Sequence, residues 1–124
     1  MIQATEIAFI GHPVSDVPRA REFYEKILGL VPSMAHEFQA GQWWIEYEVG
    51  GVAVALSNAW PPGKSTGATL ALEVADYDAA AEKLKGAGVP VDHGPHDTPV
   101  CRFFGIKDPD GNSITIHKRK PGNG

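Results

Sequence analysis

The side chains in this 124-residue chain that could do chemistry together are a set of carboxylates, one strand histidine and two large aromatic rings. Glu6, Glu46, Glu48 and Glu73 fall on the same alternation phase of their predicted strands as Trp44, Arg102, Phe104 and His117, which would give them a common sheet face. Carboxylates beside flat aromatic surfaces favour cationic or aromatic molecules, through charge and through the ring quadrupole. The same carboxylates, with pKa raised by an apolar surrounding, could instead act as general bases, with His117 as the proton partner. His12, His36, His93 and His96 fall in expected bends or loops, where solvated or capping roles are the rule. The set Glu6, Glu73 and His117 is the one mixed carboxylate and imidazole group that could bind a divalent ion off the usual pattern.

The elements needed to position these residues follow from periodicity and punctuation. A strand is expected over 5–10, followed by a bend at Gly11-His12-Pro13. Ser15-Asp16 caps a helix with Pro18 in its first turn and an apolar stripe of Ala20, Phe23, Tyr24, Ile27 and Leu28, stopped by Gly29. An irregular strand over 31–38 precedes a clear strand over 42–49, a Gly50-Gly51 turn and a strand over 52–57. The segment 58–67, with Trp60-Pro61-Pro62-Gly63, reads as a linker. The order then restarts with a strand over 69–74, a helix over 76–87 stopped at Gly88, and an uncertain strand over 89–91. A loop over 93–99, a strand over 101–106, a type I′ turn at Asp110-Gly111 and a strand over 113–117 close the chain.

An offset of 60 residues relates the halves. It matches Val14 with Val74, Asp16 with Asp76, Ala20 with Ala80, Glu22 with Glu82, Trp44 with Phe104, and Glu48 with Asp108. Each βαβββ half is too small to bury its own sheet face, so pairing the halves would close a core.

Composition removes several function classes. A net charge of −4 and a pI near 5.7 leave no basic face for nucleic acid, and the basic tail Lys118-Arg119-Lys120 reads as solvated. The single Cys101 excludes an internal disulfide and fits a cytoplasmic location. No apolar run approaches the roughly 20 residues of a membrane helix, and no secretory leader pattern opens the chain, which is expected to be the whole mature protein.

Three stretches together resemble the vicinal oxygen chelate superfamily, which includes glyoxalase I, bleomycin-resistance proteins and extradiol dioxygenases. They are Val14-Ser15-Asp16 leading to Arg21-Glu22-Phe23-Tyr24-Glu25-Lys26-Ile27-Leu28-Gly29-Leu30, the restart from Val74-Ala75-Asp76 to Gly88-Val89, and Asp108-Pro109-Asp110-Gly111-Asn112. The resemblance implies an α+β fold of two tandem βαβββ units, their curled mixed sheets surrounding a central cleft. It implies one domain over 1–124, with unit one about 4–58, a linker about 58–67 and unit two about 68–120. The helix-facing set would include Ile7, Phe9, Ile45, Tyr47, Val54, Leu56, Ile114 and Ile116. The cleft would then be lined by Trp44, Glu46, Ala55, Thr69, Arg102, Phe104 and Thr115, as ligand-binding residues, with Glu6, Glu73 and His117 as candidate acid–base groups.

Metal-dependent relatives place ligands on the first and last strands of each unit, positions that map here to Glu6, Ala55, Thr69 and Thr115. Only Glu6 among these is a strong ligand, and about three protein ligands is the usual minimum at a catalytic site, so no metal and no cofactor is expected. The preferred expectation is a metal-free protein of the resistance or sequestration type, binding a small aromatic or cationic molecule. The alternative is a lyase or isomerase using Glu6, Glu73 and His117 in acid–base chemistry or as an off-pattern divalent metal site. The resemblance also implies a homodimer, side by side or with exchanged units, in which the Trp60-Pro61-Pro62 stretch would cross.

Overall fold

A computed structural model of the chain describes residues 3, 5–60, 68–99 and 101–121. From residue 61 onward the expected linker lies outside the described residues. The chain divides into two compact units, residues 1–63 and 64–124. In the first, strand β1 (Ile10–Pro13) leads to helix α1 (Val17–Arg21), which a wider-wound stretch (Glu22–Ile27) continues. Strands β2 (Pro32–Gln39), β3 (Gln42–Val49) and β4 (Val52–Ser57) follow. The second unit repeats the plan with β5 (Leu70–Glu73), α2 (Tyr77–Gly86), β6 (His93–Asp97), β7 (Cys101–Lys107) and β8 (Ser113–Arg119).

Each unit is a four-stranded mixed sheet, ordered β1-β4-β3-β2 and β5-β8-β7-β6. The β1–β4 and β5–β8 pairs are parallel and the other pairs antiparallel. The α+β class and the tandem βαβββ plan are thus those the repeat predicts. Both helices start as their sequences require: Asp16 accepts a 3.0 Å hydrogen bond from the Arg19 amide, and Asp76 one of 3.0 Å from Ala79.

The first strand lies later than expected. Ile10 pairs with Val54 and Leu70 with Ile114, both exchanges 60 residues apart, so Gly11-His12-Pro13 is β1 itself and adds nothing relative to the second unit. Pro13 is accommodated because β1 is an edge strand, where a missing N–H breaks no ladder. Glu6 therefore precedes the strand and is exposed, and His12 is a buried strand residue whose Nδ1 lies 2.7 Å from the hydroxyl of Tyr24 in the wider-wound stretch after α1. The sixth strand is likewise His93–Asp97, not 89–91: its Gly94-Pro95 reads as a breaker but is held in an irregular edge strand.

The 60-residue offset also slips by one inside each unit. Gly29 and Gly88 end the two helices with φ of +75 and +76, yet stand 59 apart. The extra residue of the first unit sits in the wide stretch, where the Leu28 amide reaches back five residues to the Phe23 carbonyl; in α2 the Ala87 amide reaches back four, to Lys83. The slip persists into the sheet. Ile45 faces Leu56, while Phe104 faces Ile116, so Phe104 corresponds to Ile45 and Phe103 to Trp44.

A one-residue change exchanges sheet faces. Phe104 is accordingly 3% exposed against α2, its ring 5.5 Å from that of Tyr77. The Arg102 guanidinium lies 4.2 Å over the Tyr77 ring and 3.7 Å from Asp78. Arg102 and Phe104, expected on the helix-free face, belong to the helix face.

The offset is restored in the second hairpin. Glu48 pairs with Ala53 across a four-residue connection, and Lys107 with Ser113 across five. Gly50 and Gly51 both have positive φ, as a two-residue type I′ turn needs. The expected type I′ turn at Asp110-Gly111 does not form, since only Gly111 has positive φ. Instead the buried Asp108 carboxylate accepts from the Asp110 amide at 2.9 Å, the Asn112 amide at 2.8 Å and the Asn112 side chain at 2.7 Å.

Candidate functional site

On the helix-free face of the first unit, Trp44 of β3 meets two rings from outside the strands. Phe9 lies 5.1 Å from Trp44 edge to face, Trp60 lies 5.3 Å from Trp44, and Phe9 stacks on Trp60 at 6.3 Å. Gly11 makes this possible: a Cβ there would come within 2.8 Å of the Trp60 ring. The Trp44 indole N–H donates to Glu46 Oε2 at 2.8 Å, anchoring a carboxylate at the edge of the cluster. His36 and Met34 sit opposite Trp44 and Glu46 in the register with β2. Phe9 remains 44% exposed, so the cluster is open on one side. Ala55, paired with Glu46, is fully buried and offers no free surface.

Sequence reasoning found Trp44 and Glu46 but not their companions. The alternation of the first strand predicts Phe9 toward the helix, and the Pro-rich punctuation predicts Trp60 in the linker. The usable signal was Gly11, a residue without a side chain in a strand flanked by bulky neighbours.

The helix-free face of the second unit carries a different set. Glu73, His117, Phe103 and His96 form one registered row, one residue from each strand. Glu73 Oε1 lies 2.6 Å from His117 Nδ1, and Glu73 Oε2 accepts from the Arg119 amide at 2.8 Å. Phe103 lies between two imidazoles, stacked on His117 at 6.5 Å and tilted by 34° to His96 at 4.7 Å. His93 follows, with 3.1 Å between its Nδ1 and His96 Nε2. Thr69 and Thr115 hydroxyls are 3.0 Å apart, and Ser113 donates to Thr69 at 3.0 Å.

The electrostatics of Glu73 run against a role as general base. The Arg119 amide, and then the His117 ring, hold its carboxyl below the usual carboxylate range, where the acid–base expectation needs it raised. Its geometry suits orienting His117 instead. Among the described residues no group of three or more His, Cys, Asp or Glu side chains is placed to hold a metal ion.

Residues 6–116 match the sequence profile of the Glyoxalase/Bleomycin resistance protein/Dioxygenase superfamily. The chain belongs to this superfamily. Among solved structures it is similar to TnmS3, an antibiotic binding protein from Streptomyces sp. CB03234, at 27% identity, TM-score 0.78, covering 97% of this chain and 100% of that one. It is also similar to a glyoxalase/bleomycin resistance protein from the same organism, at 31% identity, TM-score 0.72, covering 90% and 98%. A lactoylglutathione lyase from Agrobacterium tumefaciens, 18% identical with TM-score 0.74 and coverage of 94% and 95%, shares the fold. No curated protein matches by sequence.

The observed register corrects one of the mapped superfamily metal positions. Thr115 corresponds to Ala55, and Thr69, one residue before β5, corresponds to Phe9, one residue before β1, rather than to Glu6. Phe9, Ala55, Thr69 and Thr115 offer hydroxyl, methyl and phenyl groups where a transition ion needs imidazole, thiolate or carboxylate.

Proposed function

We propose that this protein binds a small aromatic or cationic molecule on the helix-free faces of its sheets and holds it without chemical change, a resistance or sequestration role. The observation that carries this reading is the half-open Phe9, Trp44 and Trp60 cluster with Glu46 fixed at its edge. Ring faces and a neighbouring carboxylate together favour a flat cation. TnmS3, described as an antibiotic binding protein, supports the same class of role. We place the protein in the cytoplasm as a homodimer; among the described residues no helix is long and apolar enough to cross a membrane, and Ile7 and Val31 present exposed apolar surface.

The test is tryptophan fluorescence titration with 9-aminoacridine, a planar cation, against 9-anthroate, a planar anion. Saturable quenching by the cation is expected, at least tenfold weaker in Trp44→Ala and a few-fold weaker in Glu46→Gln. Absence of saturable binding, or equal binding by Trp44→Ala, sinks the proposal.

A second reading rests on the short Glu73–His117 contact, which orients an imidazole as acid–base catalysts do. A compound recovered unaltered after long incubation with stoichiometric protein favours sequestration; a product that disappears in His117→Gln favours catalysis.

A further inference from the structure

His93 and His96 of β6 stand three residues apart, a spacing that sends side chains to opposite faces of a regular strand. Here both reach the same face. His93 is opposite Gly105 and His96 opposite Phe103, so β6 uses three residues where β7 uses two, and this irregularity re-aims the side chains. The first unit keeps an even count at the equivalent place, with Met34 opposite Glu46 and His36 opposite Trp44.

Each ring has a seat. The His93 imidazole occupies the space above Gly105, where a Cβ would come within 2.1 Å of its Nε2, and this leaves its Nδ1 directed at His96. The His96 ring in turn lies 4.7 Å from that of Phe103. His93 Nδ1 and His96 Nε2 end 3.1 Å apart, with the ring centroids separated by 5.3 Å. Two imidazoles on one tetrahedral Zn²⁺, with bonds of about 2.05 Å, place their nitrogens about 3.3 Å and their centroids about 5.2 Å apart. A turn of roughly 20° in each ring therefore makes the two lone pairs converge on an ion. Both residues are exposed on an edge strand, open to an ion arriving from solvent. The proton now shared between the nitrogens moves to the far nitrogen of its own ring when the ion takes its place.

We propose that His93 and His96 form a binding site for one divalent transition ion, Zn²⁺ by preference, with water in the remaining positions. Zinc is preferred because the separation of the rings suits a tetrahedral angle better than the right angle of a square-planar ion. Two protein ligands fall short of the usual catalytic set, so the site binds the ion and no reaction is assigned to it. It shares no residue with the mapped superfamily positions Phe9, Ala55, Thr69 and Thr115, with the Glu73–His117 pair, or with the aromatic cluster of the first unit.

The probe is ZnCl₂ titrated into the full chain, followed by long-range ¹H–¹⁵N NMR of the histidine side chains. Saturable shifts centred on the rings of His93 and His96 are expected. Affinity should fall at least about tenfold in His93→Gln and in His96→Gln, since losing a ligand costs no less than losing an outer-shell partner. Gly105→Ala keeps both imidazoles but puts a methyl group where the His93 ring lies, and should weaken binding by a similar factor. His117→Gln should leave the affinity unchanged. No saturable shift, shifts centred on other histidines, equal affinity in His96→Gln, or loss of binding in His117→Gln would each overturn the proposal. Equal affinity in Gly105→Ala would do so too, because a chance pair of surface imidazoles needs no seat. Should Gly105→Ala fail to fold, the His96→Gln affinity still decides.

Discussion

The two units share topology, helix caps and a parallel-strand register 60 residues apart, yet they spend their side chains differently. On the helix-free face the first unit has Phe9, Trp44 and Trp60 with a carboxylate, and the second has threonines and a row of imidazoles around Phe103. On the helix face the contrast reverses in polarity. The first unit packs Arg21, Glu25, Tyr24, Tyr47 and His12 into hydrogen-bonded contacts, while the second leaves an apolar hollow. A mixed sheet with a fixed register constrains where side chains point and leaves open what they are, so one backbone plan presents two chemically distinct surfaces.

The hairpins offer the sharpest way to break the equivalence. Asp108 is 4% exposed and its carboxylate holds three donors in place, whereas the first unit closes its hairpin with Gly50-Gly51. Asp108→Ala orphans those donors and should lower stability by about 3 kcal/mol in urea unfolding. Gly50→Ala meets no atom within 4 Å and suffers only from its φ of +58, so about 1 kcal/mol is expected. Equal losses would show that the two turns are energetically alike after all.

Exchanging the helix-face residues tests the origin of the cavity. Tyr24→Leu removes a ring stacked on Tyr47 and a 2.7 Å partner of His12, and should cost about 2 kcal/mol. It should also open a hollow in the first unit able to admit 2-ethylnaphthalene. The reciprocal Leu84→Tyr should fill the second unit's hollow, lined by Leu84, Val89 and Phe104, with a smaller stability change, and exclude 2-ethylnaphthalene from it. If Leu84→Tyr still admits the hydrocarbon, residue size at that position is not what makes the space.

Most of the fold was readable because it rests on signals that repeat. The Asp16 and Asp76 caps, the helix-ending glycines and the alternation of β3, β4 and β8 each occur as the physics of a half-buried element requires. What escaped was a single residue. An extra position in the winding after Arg21 alters no apolar stripe, yet it shifts β7 by one and exchanges its faces. Phe103 and Phe104 are both phenylalanine, so either phase of β7 looked equally apolar. The site was half legible for a related reason: Trp44 and Glu46 lie on a regular strand, whereas Phe9 and Trp60 are brought in from outside the strands by a tertiary contact over Gly11 that no local pattern encodes.

The smallest expected effect concerns charge beneath α1. Glu25 accepts from Arg21 Nε at 2.6 Å and from the Tyr47 hydroxyl at 2.9 Å, and the Arg21 hydrogen bond outweighs burial in holding its carboxyl below the usual range. Tyr47 is pushed the other way, first by burial and then by Glu25, so it remains a donor well beyond neutral pH. A carboxylate whose pKa is lower folded than unfolded stabilises the native state above its unfolded value, and that contribution disappears as pH falls through the folded value. Glu25→Gln should therefore cost under about 1 kcal/mol at neutral pH, because the Arg21 pair is partly exposed. The gap between the two proteins should close as the pH drops below the ordinary carboxylate range. Urea unfolding at a series of pH values checks this, with Lys85→Gln as the control from the unit that lacks the network. A gap that persists unchanged into acid would mean that Glu25 contributes shape and hydrogen bonding there, and that the polar filling of the first unit owes nothing to its charge.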